Sequence, residues 1–161
     1  MINARVETAA EKPAFQDALS RRRCLVPADG FYEWNRFGRD RQPYCFEGEG
    51  RKPFAFAGLW DRWQMPGGIA LETFTILTTT PNSLLSDVRD RMPVILPPEN
   101  YDLWLNPQLR NVERIQPLLK PYDANQMRRY AVSTRINNVG NDDRQCSEPV
   151  TVSPAKQYEM F

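Results

Sequence analysis

One carboxylate of this chain sits among aromatic side chains: Glu33 follows Phe31 and Tyr32 and precedes Trp34. Desolvation in such company favours a neutral carboxyl and makes it serviceable as a general acid or base near neutrality. An alternating strand would equally turn Glu33 to solvent, and these four residues leave both readings open. Near the start, Asn3 offers donors and an acceptor suited to a sugar hydroxyl or an amine. Arg5 can fork onto a phosphate. Solvated side chains on a loose end are the plainer reading for residues placed so early. A third group is Arg89 and Arg91, whose bland reading is a solvated pair alternating with Asp87 and Asp90. The chain has no histidine, so a proton carrier near pH 7 must be a tuned carboxylate, a cysteine or the α-amino group.

The same counts argue against other chemistries. The three cysteines, 24, 45 and 146, have no C-x-x-C spacing. Without histidine they speak against a zinc site and against a disulfide framework, so neither metal nor cofactor is expected. Cys24 and Cys45 fall on strand-like runs and read as buried, inert thiols, whereas Cys146 lies in a polar segment and reads as exposed. A net charge of +1 argues against a broadly nucleic-acid-coating protein, but arginines gather at 21–23, 36–41 and 89–91 and leave room for a local basic groove. No apolar run approaches the roughly 18 residues of a membrane-spanning helix. No signal-peptide pattern opens the chain, so the expected location is cytoplasmic.

The elements that must position these residues are mostly strands. Apolar runs at 24–26, 31–34, 44–47, 54–60, 74–79 and 92–96 are separated by Gly, Pro and Asp/Asn turns, and a further run covers 130–134. Pro13 can start a helix with Phe15, Ala18 and Leu19 on its apolar face, and Arg21 to Arg23 at its end. Asn82 is a plausible cap for a short helix over 83–88. Another helix leads to Trp104 and Leu105, and Pro117 limits 112–119 to two short pieces. Trp34, Trp60, Trp63 and Trp104 are assigned to packing, with Trp63 the most exposed. The pattern predicts an antiparallel or mixed α+β fold.

Four segments together resemble the SOS-response-associated peptidase (SRAP) family. They are Asn3-Ala4-Arg5-Val6-Glu7-Thr8, Gly30-Phe31-Tyr32-Glu33-Trp34, Val88-Arg89-Asp90-Arg91-Met92-Pro93-Val94-Ile95-Leu96 (taken with Thr78) and Val132-Ser133-Thr134-Arg135-Ile136-Asn137-Asn138. The resemblance runs over residues 2–150. It implies an α+β fold with a mixed, mostly antiparallel β core and short flanking helices, lacking the family's N-terminal part. Residues 1–150 would form a single domain and 151–161 a loosely packed tail.

The family captures abasic sites in single-stranded DNA, so the implied partner is such a strand, met by a monomer. The protein would be cytoplasmic, and nucleoid-associated when bound to DNA. Glu33 would then serve acid/base steps at the sugar and Asn3 would line the catalytic pocket. Arg5, Thr78 and Arg91 would contact DNA. Arg89 stands where the family pattern has a histidine that helps open the sugar ring; a guanidinium cannot shuttle protons there but can bind phosphate. Asn137 and Asn138 would support the pocket floor, although an Asn pair after a strand more often makes an Asx turn. In the family, the amine of a Cys directly after the initiator Met forms an imine with the opened sugar, and its thiol closes a thiazolidine. Residue 2 here is Ile, so the expectation is that the true start lies upstream and that this polypeptide as written forms no thiazolidine. The alternatives are a non-covalent single-strand binding module and an inactive remnant.

Overall fold

The computed structural model describes residues 2–35 and 41–152. In chain order the elements are β1 (Asn3–Arg5), α1 (Val6–Ala9), α2 (Pro13–Arg21), β2 (Arg23–Ala28), β3 (Phe31–Trp34), β4 (Pro43–Gly48), β5 (Phe54–Gln64), β6 (Ala70–Thr79), β7 (Met92–Pro93), β8 (Ile95–Leu96), α3 (Tyr101–Leu105) and β9 (Met127–Ala131). Turns and short 3-10 segments join them. Of the sequence features noted above, Met1, Arg36, Arg39 and most of the tail (153–161) lie outside the described residues.

Two sheets carry the fold, which is α+β as expected. The larger is built on the antiparallel β5–β6 hairpin, with β2 along the first half of β5. β1 adds to β6 in parallel, Asn3 opposite Ile76 and Arg5 opposite Thr78. The smaller sheet has the order β3-β4-β9, all antiparallel. Aromatic rings lock the two together: Phe31, stacked at 5.3 Å on Phe46 of its own sheet, meets Phe56 of the large sheet edge-on at 5.8 Å. The opposite face of the large sheet packs on α2 through Phe15, Ala18 and Leu19 and on α3 through Trp104. Residues 54–59 of β5 are therefore buried on both faces, which suits their unbroken run of apolar and small side chains. Gly48 leaves no room for a side chain, since a Cβ there would meet the Lys52 carbonyl oxygen and force the backbone to shift.

Several local expectations change. The 92–96 run is two short strands, because the β5–β6 hairpin parts at this end and the segment bridges it. β7 pairs with β6 and β8 with β5, while Val94 N–H donates to the Leu77 carbonyl and its own carbonyl accepts from Ala57 N–H. The 83–88 segment is a set of turns, not a helix, although Asn82 caps it by accepting from Leu84 and Leu85 N–H. β1 and α1 fall where the sequence suggested a loose end. The 112–119 region is two 3-10 pieces, Val112–Arg114 and Gln116–Leu118.

The 21–23 arginines do not make a basic groove. Arg23 is buried and donates to the carbonyls of Leu19, Ser20, Trp104, Asn106 and Leu109, stitching α2 to the α3 region. Arg21 and Arg22 both pair with Asp17. Cys146 is buried rather than exposed, at the end of a 3-10 turn capped by Asp143. Trp104 is fully buried, but Trp60 and Trp63 are 37% and 57% exposed, so only part of the tryptophan set packs as expected.

Candidate functional site

All six residues singled out for chemistry or strand contact line one cleft of about 400 Å³: Asn3, Arg5, Glu33, Thr78, Arg89 and Arg91. It opens where β1, the end of β6, β3 and the 89–93 segment converge. Each element delivers its side chain for a simple reason. In β1, Ala4 is buried against the helical layer, so alternation turns Asn3 and Arg5 outward together. In β3, Phe31 is packed against the aromatic core. Glu33, two residues on along the same face, emerges at the cleft with 21% of its side chain exposed.

Arg89 meets Glu33 directly, Nε to Oε2 at 2.7 Å. Arg91 is committed elsewhere. Its two terminal nitrogens fork onto the Glu7 carboxylate at 2.6 and 2.8 Å, and one also donates to the Thr78 carbonyl. Thr78 Oγ1 in turn donates to the Ala4 carbonyl at 3.3 Å. This bracket ties α1, β1 and β6 into one corner. The Arg91 guanidinium holds the Glu7 carboxyl below its ordinary range. Arg91 Nε is buried there with no hydrogen-bond partner.

Sequence reading did not single out two supports of the site. Glu7 is the first, although it sits inside the Asn3-to-Thr8 motif, at the start of α1 directly after β1. Arg129 is the second: it forks onto Asp87 at 2.5 and 2.8 Å and donates to the Leu84 carbonyl, fixing the turns that present Arg89. Asp87 is thus bound to β9 rather than alternating freely with the cleft arginines, and Arg129 holds its carboxyl below the usual range. Only long-range pairing brings these residues together, and no spacing signal could have found Arg129. The Asn pair splits its duties outside the cleft. Asn137 accepts from the Trp34 indole N–H at 2.5 Å, and Asn138 caps a turn at Gly140.

Two of the three thiols are unsuited to reaction. Burial pushes the Cys24 and Cys45 thiols up, away from the reactive thiolate. Among the described residues, no group of three or more His, Cys, Asp or Glu side chains is arranged to hold a metal ion. No described helix is long and apolar enough to cross a membrane.

A polar cleft lined by two carboxylates, Glu33 and Asp90, and three arginines, on a mixed sheet braced by a three-stranded one, defines a class. The family model for SOS response associated peptidase (SRAP) matches residues 1–139, and the chain belongs to that family. It is 46% identical over 149 residues to the abasic site processing protein YoqW of Bacillus subtilis, covering 92% of this chain and 66% of that one. To the abasic site processing protein HMCES of Gallus gallus it is 31% identical over 178 residues, covering 98% and 52%. A solved crystal structure of a Bacteroides thetaiotaomicron protein superposes with a TM-score of 0.84 at 36% identity, covering 92% of this chain and 66% of that one. The chain thus spans about two thirds of the bacterial relative and half of the vertebrate one.

Proposed function

We propose that the cleft recognises an abasic sugar on single-stranded DNA, as part of abasic site processing. The observation that carries this is the convergence of Asn3, Arg5, Glu33, Thr78, Arg89 and Arg91 on one cleft in a chain of this family. The cleft offers a carboxylate and an amide for a sugar and guanidinium groups for the flanking phosphates. In this reading Glu33 acts on protons at the sugar and Asn3 orients it. Arg5 and Arg89 meet the strand, and Arg91 and Thr78 border its path while holding β1 in place. The covalent step belongs to a polypeptide that presents a Cys amine and thiol at its N-terminus.

The test uses the protein extended at its N-terminus by a segment beginning with that Cys. Incubated with a single strand carrying one abasic site, it should give a protein–DNA adduct that survives denaturing electrophoresis. Glu33→Gln should slow adduct formation by about 10²–10⁴-fold, the usual range for a lost general acid/base. Absence of any adduct would remove the covalent reading, and an unchanged rate in Glu33→Gln would remove Glu33 from it.

A second reading, a non-covalent single-strand binder, is favoured by Arg89 at the cleft, since a guanidinium exchanges no protons near neutrality. It predicts salt-sensitive binding with no preference for abasic strands, weakened in Arg5→Ala. Binding that ignores salt would sink it.

A further inference from the structure

Two aromatic side chains that packing leaves bare, Trp60 and Phe74, share a sheet face with the cleft. In β5, Ala57 and Leu59 turn to the helical layer, so alternation turns Phe56, Gly58 and Trp60 to the other side. In β6 the same rule turns Leu77 to the helices, and Phe74, Ile76 and Thr78 away from them. Phe56, Ile76 and Thr78 line the cleft on that side. Trp60 and Phe74 are direct partners in the β5–β6 register and remain 37% and 57% exposed. With Cys24 and Val26 they border a shallow groove of about 330 Å³. From Thr78 to Phe74 the separation is four residues, about 13 Å at the rise of a strand. The cleft and the aromatic pair thus lie in line on one face, within reach of neighbouring nucleotides of one strand.

We propose that Trp60 and Phe74 form a stacking platform for the nucleobases beside the abasic sugar. The inference rests on the functional reading above for its ligand. An abasic sugar has no base, so it offers a protein nothing to stack on. Affinity for such a strand must come from its phosphates and from the nucleotides on either side. The phosphate share is modest here, because the net charge is only +1 and Arg91 is already committed to Glu7. Base–aromatic stacking supplies the rest without reading sequence, which suits a lesion defined by a missing base. Rings fixed on paired strands also lose little freedom on binding. The charges beyond the pair balance: Arg62 meets Glu72 at 3.9 Å on the same face. Asp61 belongs to the opposite face and pairs with Arg22.

The experiment measures binding by fluorescence anisotropy, using labelled single strands that carry one stable abasic analogue. One strand has ordinary bases on both sides of it, and a second has abasic analogues there too. The wild-type chain should bind the first strand more tightly. Phe74→Leu, which stays apolar but loses the ring, should bind it about 5- to 150-fold more weakly, the usual cost of a lost stack. Phe74→Tyr should restore the affinity, a rescue that apolar cover alone would not give. On the strand without flanking bases, Phe74→Leu and wild type should be equal. The loss in Phe74→Leu should leave the salt dependence of binding unchanged, whereas Arg5→Ala should make it shallower. Equal binding of the two strands by wild type, or full affinity in Phe74→Leu, would overturn the platform, while an effect of Arg5→Ala would still uphold the cleft. An effect of Phe74→Leu without one of Arg5→Ala would remove the cleft and keep the platform. A dimer in sedimentation that Phe74→Leu dissolves, with strand binding unchanged, would assign the pair to a second copy of the chain instead. Failure of both strands to bind would refute the functional reading and the platform together.

Discussion

Residues 54–59 of β5 are buried without exception, whereas 60–64 of the same strand are exposed. β6 mirrors this, with Leu71 and Phe74 largely exposed and Leu77 and Thr79 buried. Both halves carry large apolar side chains, Phe54, Phe56 and Leu59 on one side and Trp60, Trp63, Leu71 and Phe74 on the other, but the exposed half sets them among Asp61, Arg62, Gln64 and Glu72. The halves differ in cover as well. The buried half is sandwiched between the small sheet and the helices, and its hydrogen-bonding edges are filled by β2, β7 and β8. The cleft forms at the border of that covered half, where Phe56, Ile76 and Thr78 line it. The exposed half is a two-stranded ribbon on which apolar and charged side chains are mixed, Arg62 pairing with Glu72. Cover and composition change together along the strand, and the large apolar side chains of the uncovered half stay exposed because no layer reaches them.

The largest effect should come from the covered half. Phe46→Ala removes a fully buried ring stacked on Phe31, and thermal or denaturant unfolding should show a loss of about 3–5 kcal/mol. Gly48→Ala should cost less, about 1–3 kcal/mol, because its Cβ would push on the Lys52 backbone. A neutral result there would mean the β4 end is looser than its geometry implies.

The cleft corner should give a smaller, pH-dependent effect. Glu7 has a folded pKa below its unfolded value, so its pair with Arg91 stabilises above the ordinary carboxylate range. That contribution is lost as pH falls through the lowered folded value. With Glu7 nearly half exposed, Glu7→Gln should cost on the order of 1 kcal/mol or less at pH 7, and the gap from wild type should close in acid. A gap that persists in acid would assign the effect to packing. Smallest of all, Phe74→Ser on the bare ribbon should change stability by no more than about 0.5 kcal/mol while reducing self-association at high concentration. A loss as large as that of Phe46→Ala would erase the distinction between the halves.

The strand runs, the α2 face and the polar candidates were legible because each depends on local periodicity or residue chemistry. Pro13, Phe15, Ala18 and Leu19 mark α2 by spacing alone, and Glu33 stood out by its aromatic neighbours. Illegible were the pairings between distant segments. Nothing local says that Arg129 anchors the turn before Arg89, that Arg23 is buried among five carbonyls, or that Arg91 serves Glu7. A guanidinium looks the same in sequence whether it meets a phosphate, a carboxylate or a backbone oxygen.

By itself the sequence determined which residue types could act, and its motifs determined the family. Only the tertiary structure decided which of them share a cleft, because β1 reaches β6 across some seventy residues of chain. It also decided which charges are already neutralised, since an ion pair forms wherever packing brings two side chains within reach.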